Sequence, residues 1–380
     1  MEEKKLTKCE AIAAGHICVD ITPAFPSEQT KPLEEILRPG KLIHMDEATV
    51  SLGGIVANTG LAMRKLGINV GLMGMVGKDA FGSIILSELK KENAAGNMIV
   101  SDKVKTSYSV VLAPKGIDRM FLHYDGANDL YDTGYMDLAA VKEAKLFHFG
   151  YPPLMRNMYL NNGEETVRLF QKVNALKTAT SLDMAMVDED SPAGKQDWNQ
   201  MIRDVIPYVD FFCPSAEELC IMLDRDRYHS WLKRAAGRDI TETLDLETDI
   251  RPMAEQLLQW GAKVVLIKCG APGIYLCTAD RNRLSLIGGG LGEKMADAWQ
   301  DVRYFEKSYH VDKVLSGVGA GDTTIAAFLA GVLKEYPWQE CLHLATATGA
   351  LCTQTYDVLS GLLPLDELQK KINAGWEKRA

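Results

Sequence analysis

No stretch of this sequence reads G-x-x-x-x-G-K-[ST], which excludes a P-loop as its way of holding phosphate. Its eight cysteines contain no C-x-x-C pair and its seven histidines no H-x-x-x-H pair. Neither a zinc site nor a disulfide framework is indicated, and free thiols in a reducing compartment fit the pattern. No apolar run approaches the length that crosses a membrane, and Met1-Glu2-Glu3-Lys4-Lys5 carries no apolar signal core, so the expected location is the cytoplasm. Internal repeats and low-complexity tracts are also missing. Positive charge is in deficit, with a formal net charge of −9. That balance argues against nucleic acid or an anionic membrane surface as a partner. It leaves phosphate ligands open, because a local nest of backbone N–H groups holds phosphate on an acidic protein.

What is present is a core-forming composition, 47% hydrophobic and 24% charged over 380 residues; length alone allows two domains, and one large domain spanning 1–380 with an appendage fits as well. Short apolar runs at 11–21, 69–76, 144–150, 180–184, 210–214 and 264–270 read as strands. Many are apolar on both faces, as parallel strands covered by helices are. Helical periodicity occupies 55–66, 164–176, 198–205, 253–260, 323–335 and 338–353. The alternation predicts an α/β fold with a doubly wound sheet and ligands at the carboxyl ends of its strands. Two segments interrupt it. Segment 21–51 is long and polar with strand-like 41–50, and 106–124 has a hairpin pattern around Pro114-Lys115-Gly116. Together they suit a small sheet over one edge that serves as a lid and excludes water, or equally a surface hairpin without a task. Segments 188–197, 224–249 and 281–312 read as insertions without a chemical motif.

The densest chemical signal is Gly319-Ala320-Gly321-Asp322, which leads directly into a helix. Small residues let backbone N–H groups close on a ligand, and the helix start adds free N–H groups and a positive dipole end. A carboxylate beside such an anion hole needs a task. Taking the proton of a hydroxyl that attacks phosphorus fits Asp322. The same string also suits a turn that merely joins a strand to a helix.

Weaker signals surround it. Gly53-Gly54 precedes a helix with Asn58 in its first turns, a place where a small ligand meets backbone and a side-chain amide. Asp20, read as ending the first strand, can bind two sugar hydroxyls or cap its loop. Lys268-Cys269-Gly270-Ala271-Pro272-Gly273 suits a nucleotide lying against the chain, or equally a turn between two strands. Ser215 and Glu218 have capping-box spacing, while Glu218 also suits a phosphate-bound Mg²⁺.

In this order the pieces resemble the ribokinase-like (PfkB) carbohydrate kinases over nearly the whole chain. Gly53-Gly54 with Asn58, Val76-Gly77-Lys78-Asp79-Ala80-Phe81-Gly82, Gly126-Ala127-Asn128 and Gly319-Ala320-Gly321-Asp322 carry the resemblance. It implies a three-layer α/β/α domain with a small β-sheet lid used for homodimerisation. It also implies ATP- and Mg²⁺-dependent transfer to a sugar hydroxyl. By that likeness Asp322 is the base and Gly319, Ala320 and Gly321 form the anion hole. Asp20, Gly53, Gly54, Asn58 and Asn128 match sugar positions, Ser215, Lys268, Gly270 and Gly273 nucleotide positions, and Glu218 the metal position. Departures are Ser215 in place of Asn, Ser316-Gly317-Val318 in place of Asp-Thr-x, and Asp183-Met184-Ala185-Met186-Val187 in place of Asp-x-Asn-x-Arg. The second leaves a monovalent cation open. A nucleoside kinase of the same family and a catalytically silent sugar- or nucleotide-binding protein are the alternatives.

Overall fold

Strand direction decides where the site lies. The computed structural model describes residues 9–26, 33–112 and 120–379. In chain order its strands are β1 (Ala11–Gly15), β2 (Cys18–Pro23), β3 (Ala48–Gly53), β4 (Val70–Gly77), β5 (Asn97–Ser101), β6 (Tyr108–Leu112) and β7 (Met120–Tyr124). They continue with β8 (Leu146–Gly150), β9 (Ala179–Asp183), β10 (Phe211–Phe212), β11 (Val264–Lys268), β12 (Gly273–Thr278) and β13 (Arg303–Lys307). Nine form a large sheet in the order β13-β12-β11-β10-β9-β8-β1-β4-β5, and four form a small sheet in the order β3-β2-β6-β7. From β5 across to β11 every pairing is parallel, while β12 and β13 run antiparallel. Helices cover both faces of the large sheet. Accordingly β1, β8, β9, β11 and β12 are buried at every residue. Among the described residues no helix is long and apolar enough to cross a membrane.

Parallel strands bring their carboxyl ends to one edge. His16 follows β1, Tyr151 follows β8, Asp183 closes β9, Ser215 follows β10 and Lys268 closes β11. Register keeps them level: Gly15 pairs with Gly150, Gly150 with Asp183, and Ser215 bridges to Lys268.

Several expectations change. The single strand expected at 11–21 is two strands in two sheets. The chain leaves the large sheet at His16 and Ile17, and the backbone of Ile17 needs new partners there. Asn128 supplies both: its Oδ1 accepts from Ile17 N at 3.1 Å and its Nδ2 donates to Ile17 O at 3.0 Å. Asp20 therefore lies within β2 of the small sheet, not at the end of a main strand. The strand expected at 41–50 begins only at Ala48. The turn expected at Pro114-Lys115-Gly116 lies outside the described residues. Of the expected insertions, 224–249 holds the helix Arg225–Ala235, and 281–312 holds the helix Gly292–Trp299 and β13. An edge strand with one fully buried residue, as β13 is, has too weak an apolar pattern to show in sequence. Segment 188–197 contains a short turn, Ala193–Lys195, whose Ala193 carbonyl accepts from Trp198 Nε1 at 2.8 Å.

Candidate functional site

The helix Ala320–Leu333 starts where Gly319 turns with φ 71° and ψ 0°. Glycine is required twice over, because a Cβ there would also come within 2.6 Å of the Val358 side chain. Asp322 stands in the first turn, only 4% exposed. Both carboxylate oxygens are engaged: Oδ2 accepts from Asn58 Nδ2 at 2.8 Å and Oδ1 from the Tyr151 hydroxyl at 2.6 Å. The Thr59 hydroxyl donates to the Asp322 carbonyl at 3.2 Å, tying this helix to the helix Ile55–Lys65. Burial pushes the Asp322 carboxyl above its usual range; the bond from Tyr151, the positive charge of Lys268 and the bond from Asn58 act against that rise. Tyr151 holds a left-handed backbone, φ 68° and ψ 40°, directly before Pro152 and Pro153. A bulky residue there is strained, and strain of this kind gathers at functional sites.

Opposite lies a buried cation. Lys268 Nζ is 2.5 Å from Asp183 Oδ1 and 4.0 Å from Glu218 Oε2. A Cβ on Gly321 would lie 3.4 to 3.9 Å from its Cδ, Cε and Nζ atoms, so the ammonium rests against the proposed anion hole. Burial disfavours the charge, but Asp183, Glu218 and Asp322 together outweigh it and keep Lys268 protonated. Asp183 Oδ2 is buried without a partner. Ser215 and Glu218 form a capping box on the helix Ala216–Leu223: Ser215 N donates to Glu218 Oε2 at 2.7 Å and Glu218 N to Ser215 Oγ at 3.2 Å. Among the described residues no three His, Cys, Asp or Glu side chains are arranged to hold a metal alone. Glu218 and the orphaned oxygen of Asp183 are the hard donors that suit Mg²⁺ when phosphates and water complete its shell.

The small sheet supplies the other wall. A Cβ on Gly53 would fall 2.2 to 2.6 Å from the Asp20 carboxyl atoms and displace them, while one on Gly54, at φ 85°, would fall 2.5 Å from His16 Nδ1 and 2.6 Å from its carbonyl oxygen, which closes that position to any other residue. His16 and His123 face each other Nε2 to Nε2 at 3.2 Å, and Ser109 Oγ lies 3.0 Å from His123 Nδ1. Cys18 Sγ donates to Asp20 Oδ1 at 3.2 Å.

Of the residues singled out from sequence, Asp322, Gly321, Asn58, Lys268 and Glu218 converge, with Asp20, Gly53 and Gly54 adjoining. Gly270 lies in the turn between β11 and β12, and Gly273 opens β12. Both have positive φ, 62° and 150°, and a Cβ would fall 2.5 Å from Thr241 Oγ1 at the first and 2.1 Å from the Glu306 carbonyl oxygen at the second. The amide of Asn128 bonds twice to Ile17 and is fully buried, so what it does in this structure is fix the wall. Tyr151, His16, His123 and Ser109 escaped the sequence reading, and Asp183 enters it only as the start of a departed family string, without a role in the site. Asp183 ends an apolar run and Tyr151 precedes two prolines, the available signals for those two.

Comparison with known proteins bears on this geometry. A family model described as pfkB family carbohydrate kinase matches residues 17–364. A 5-dehydro-2-deoxygluconokinase of Clostridium perfringens is 22% identical over 376 residues, covering 98% of this chain and 94% of its own. Arabidopsis thaliana ribokinase, solved with ribose and ATP, superposes with a TM-score of 0.67 at 18% identity, over 96% of this chain and 98% of that one. A putative ribokinase II from E. coli, solved with ATP and Mg²⁺, gives 0.68 at 19% identity, over 96% and 99%.

Proposed function

The chain belongs to the pfkB family of carbohydrate kinases, and on that footing we propose that it moves the γ-phosphoryl group of ATP onto a sugar hydroxyl, with Asp322 as general base. It is a phosphotransferase with an alcohol group as acceptor. One observation carries the mechanistic reading: a buried carboxylate in the first turn of a helix, gripped by Asn58 and Tyr151, faces a buried lysine across that helix start. Asp322 takes the hydroxyl proton as the oxygen closes on phosphorus. The N–H groups of Gly319, Ala320 and Gly321, with the helix dipole, meet the negative charge that develops. Lys268 beside Gly321 adds a fixed cation to that hole, in a chain where Val187 and Ala185 replace the family's Arg and Asn.

Mg²⁺, when bound, offsets charge on the nucleotide phosphates; Glu218 and Asp183 are the residues that would hold it, directly or through water. Ser215 and the turn carrying Gly270 and Gly273 border the nucleotide. Asp20, Gly53, Gly54 and Asn58 border the sugar, under a lid formed by the small sheet. The outer face of that lid exposes Val50 by 52% and Leu122 by 58%, in one row across the strands. A second copy covering that row makes the protein a homodimer.

The test is ADP release with ATP, Mg²⁺ and a panel of sugars and nucleosides. Acceptor-dependent turnover with a sugar is expected. Turnover with nucleosides alone, or none in a protein that binds ATP, overturns the reading.

A further inference from the structure

Among the described residues, the side chains that the small sheet turns toward Asp322 include no cation. Strand register assembles them: Ser51 pairs with Asp20, Asp20 with Ser109, and Ser109 with His123, so one residue from each strand lies in a single row on one face. Asp20 presses on Gly53, at the turn into the helix whose Asn58 reaches Asp322. His123 meets His16, whose ring centre lies 6.0 Å from that of Tyr151, the other partner of Asp322. The row and the base therefore line one space.

On the acceptor side its charges are negative, and the nearest described cation, Lys268, lies across the helix start against Gly321 and paired with Asp183. Asp20 and Asp322 act on each other, Asp125 lies 3.5 Å from His123, and Asp129 acts on His123 as well. Among the described residues no Lys or Arg hydrogen-bonds or pairs with Ser51, Asp20, Ser109, His123 or His16. Burial holds His16 well below the usual imidazole range and His123 below it, so both rings are neutral near pH 7.

Hydrogen-bond direction completes the picture, assigned by what each group is able to do. Burial raises the Asp20 carboxyl above its usual range, against the bonds from Cys18 and Ser109 that favour its charged form; in that form it only accepts, so Ser109 donates to Asp20 and accepts from His123 Nδ1–H. His123 Nε2 is then bare and accepts from His16 Nε2–H. That leaves His16 Nδ1, beside Gly54, as a buried acceptor without a partner. Sugar hydroxyls carry the protons that Asp20 and His16 lack. A carboxylate or phosphate carries none and adds like charge.

We propose that Asp20, Ser109, His123 and His16 select an uncharged polyhydroxy acceptor and reject sugar acids and sugar phosphates. The proposal rests on the sugar-kinase reading above and specifies which sugars that site admits.

The experiment gives the intact protein ATP, Mg²⁺ and three acceptor classes: neutral ketoses, aldoses and polyols; aldonates and ketoaldonates; and sugar monophosphates. The best neutral acceptor should exceed the best anionic one in kcat/KM by on the order of 10²-fold, because like charge beside buried carboxylates is strongly disfavoured. Asp20→Asn keeps the shape and should narrow that ratio about tenfold, chiefly through KM for the neutral sugar. His123→Arg should move it the same way by supplying a cation. A merely structural role lowers both classes together and leaves the ratio fixed, so an unchanged ratio in both variants overturns the proposal. A wild-type preference for an anionic sugar overturns it while the kinase reading stands. Absence of phosphorylation in every class, in protein that binds ATP, removes the kinase reading and this proposal with it.

Discussion

Tyr151 donates from its hydroxyl to Asp322 Oδ1 over 2.6 Å, and it does so from a left-handed backbone held ahead of two prolines. The strained residue and the buried carboxylate are coupled in titration as well as in position. Asp322 must be ionised to accept a proton, and burial raises its pKa, so kcat/KM falls on the acid side at a higher pH than an ordinary carboxylate would dictate. The Tyr151 bond favours the charged form. Tyr151→Phe removes that help and should move the acid limb of the pH–rate profile to still higher pH. A limb that stays in place would show that another group titrates.

Asp322→Asn keeps the shape of the site and both neighbours, but the amide takes no proton. Turnover should drop by about 10²–10⁴-fold while ATP still binds. Single-turnover assays beside a nucleotide-binding titration separate the two effects.

Lys268→Met tests the cation beside Gly321. Removing one partner of a buried ion pair strands the other, so the single variant should lose about 3–5 kcal/mol of stability. The double variant Lys268→Met with Asp183→Asn should recover much of that in denaturant melts without recovering kcat. Recovery of kcat as well would reduce Lys268 to a structural partner of Asp183.

Ser215 and Glu218 share a capping box but differ in proposed task. Ser215→Ala should cost about 1 kcal/mol of stability, the usual worth of a cap, with its kinetic effect confined to KM for ATP. Glu218→Gln retains an acceptor for Ser215 N and should instead raise the Mg²⁺ concentration needed for half-maximal rate. Equal, purely thermal effects from both would leave Glu218 as a cap alone.

Hydrogen exchange with and without a neutral sugar reports on the lid. Added protection should concentrate in β2, β3, β6 and β7, with a dimer at micromolar concentration in light scattering. Protection confined to the large sheet, or a monomer, would remove the lid or the dimer respectively.

The sequence was readable where the signal is local. The helix at 198–205 carries its apolar face and its Asp197 cap within a few residues, and its bounds agree with Trp198–Val205. The glycines before Asn58 and Asp322 advertise their turns in the same way. Long-range partnerships left no such trace. Tyr151 and Asp322 are 171 positions apart, and Lys268 and Asp183 are 85 apart. A lysine closing an apolar strand looks like an exposed end until its partner is seen. The break between β1 and β2 was hidden because both strands are buried where they meet, so the apolar run continues across two sheets.

The two bonds from Asn128 to Ile17 join the point where the chain enters the small sheet through β2 to the point where it returns from β7. Asp20 lies three residues beyond the first and His123 five before the second. Both residues are thus anchored close to the frame that holds Asp322. The distance between Asp20 and His123, the proposed acceptor-side groups, and Asp322, the proposed base, is then fixed during folding. An acceptor entering this space loses its own freedom on binding, but the protein has no alignment left to make at the moment of transfer.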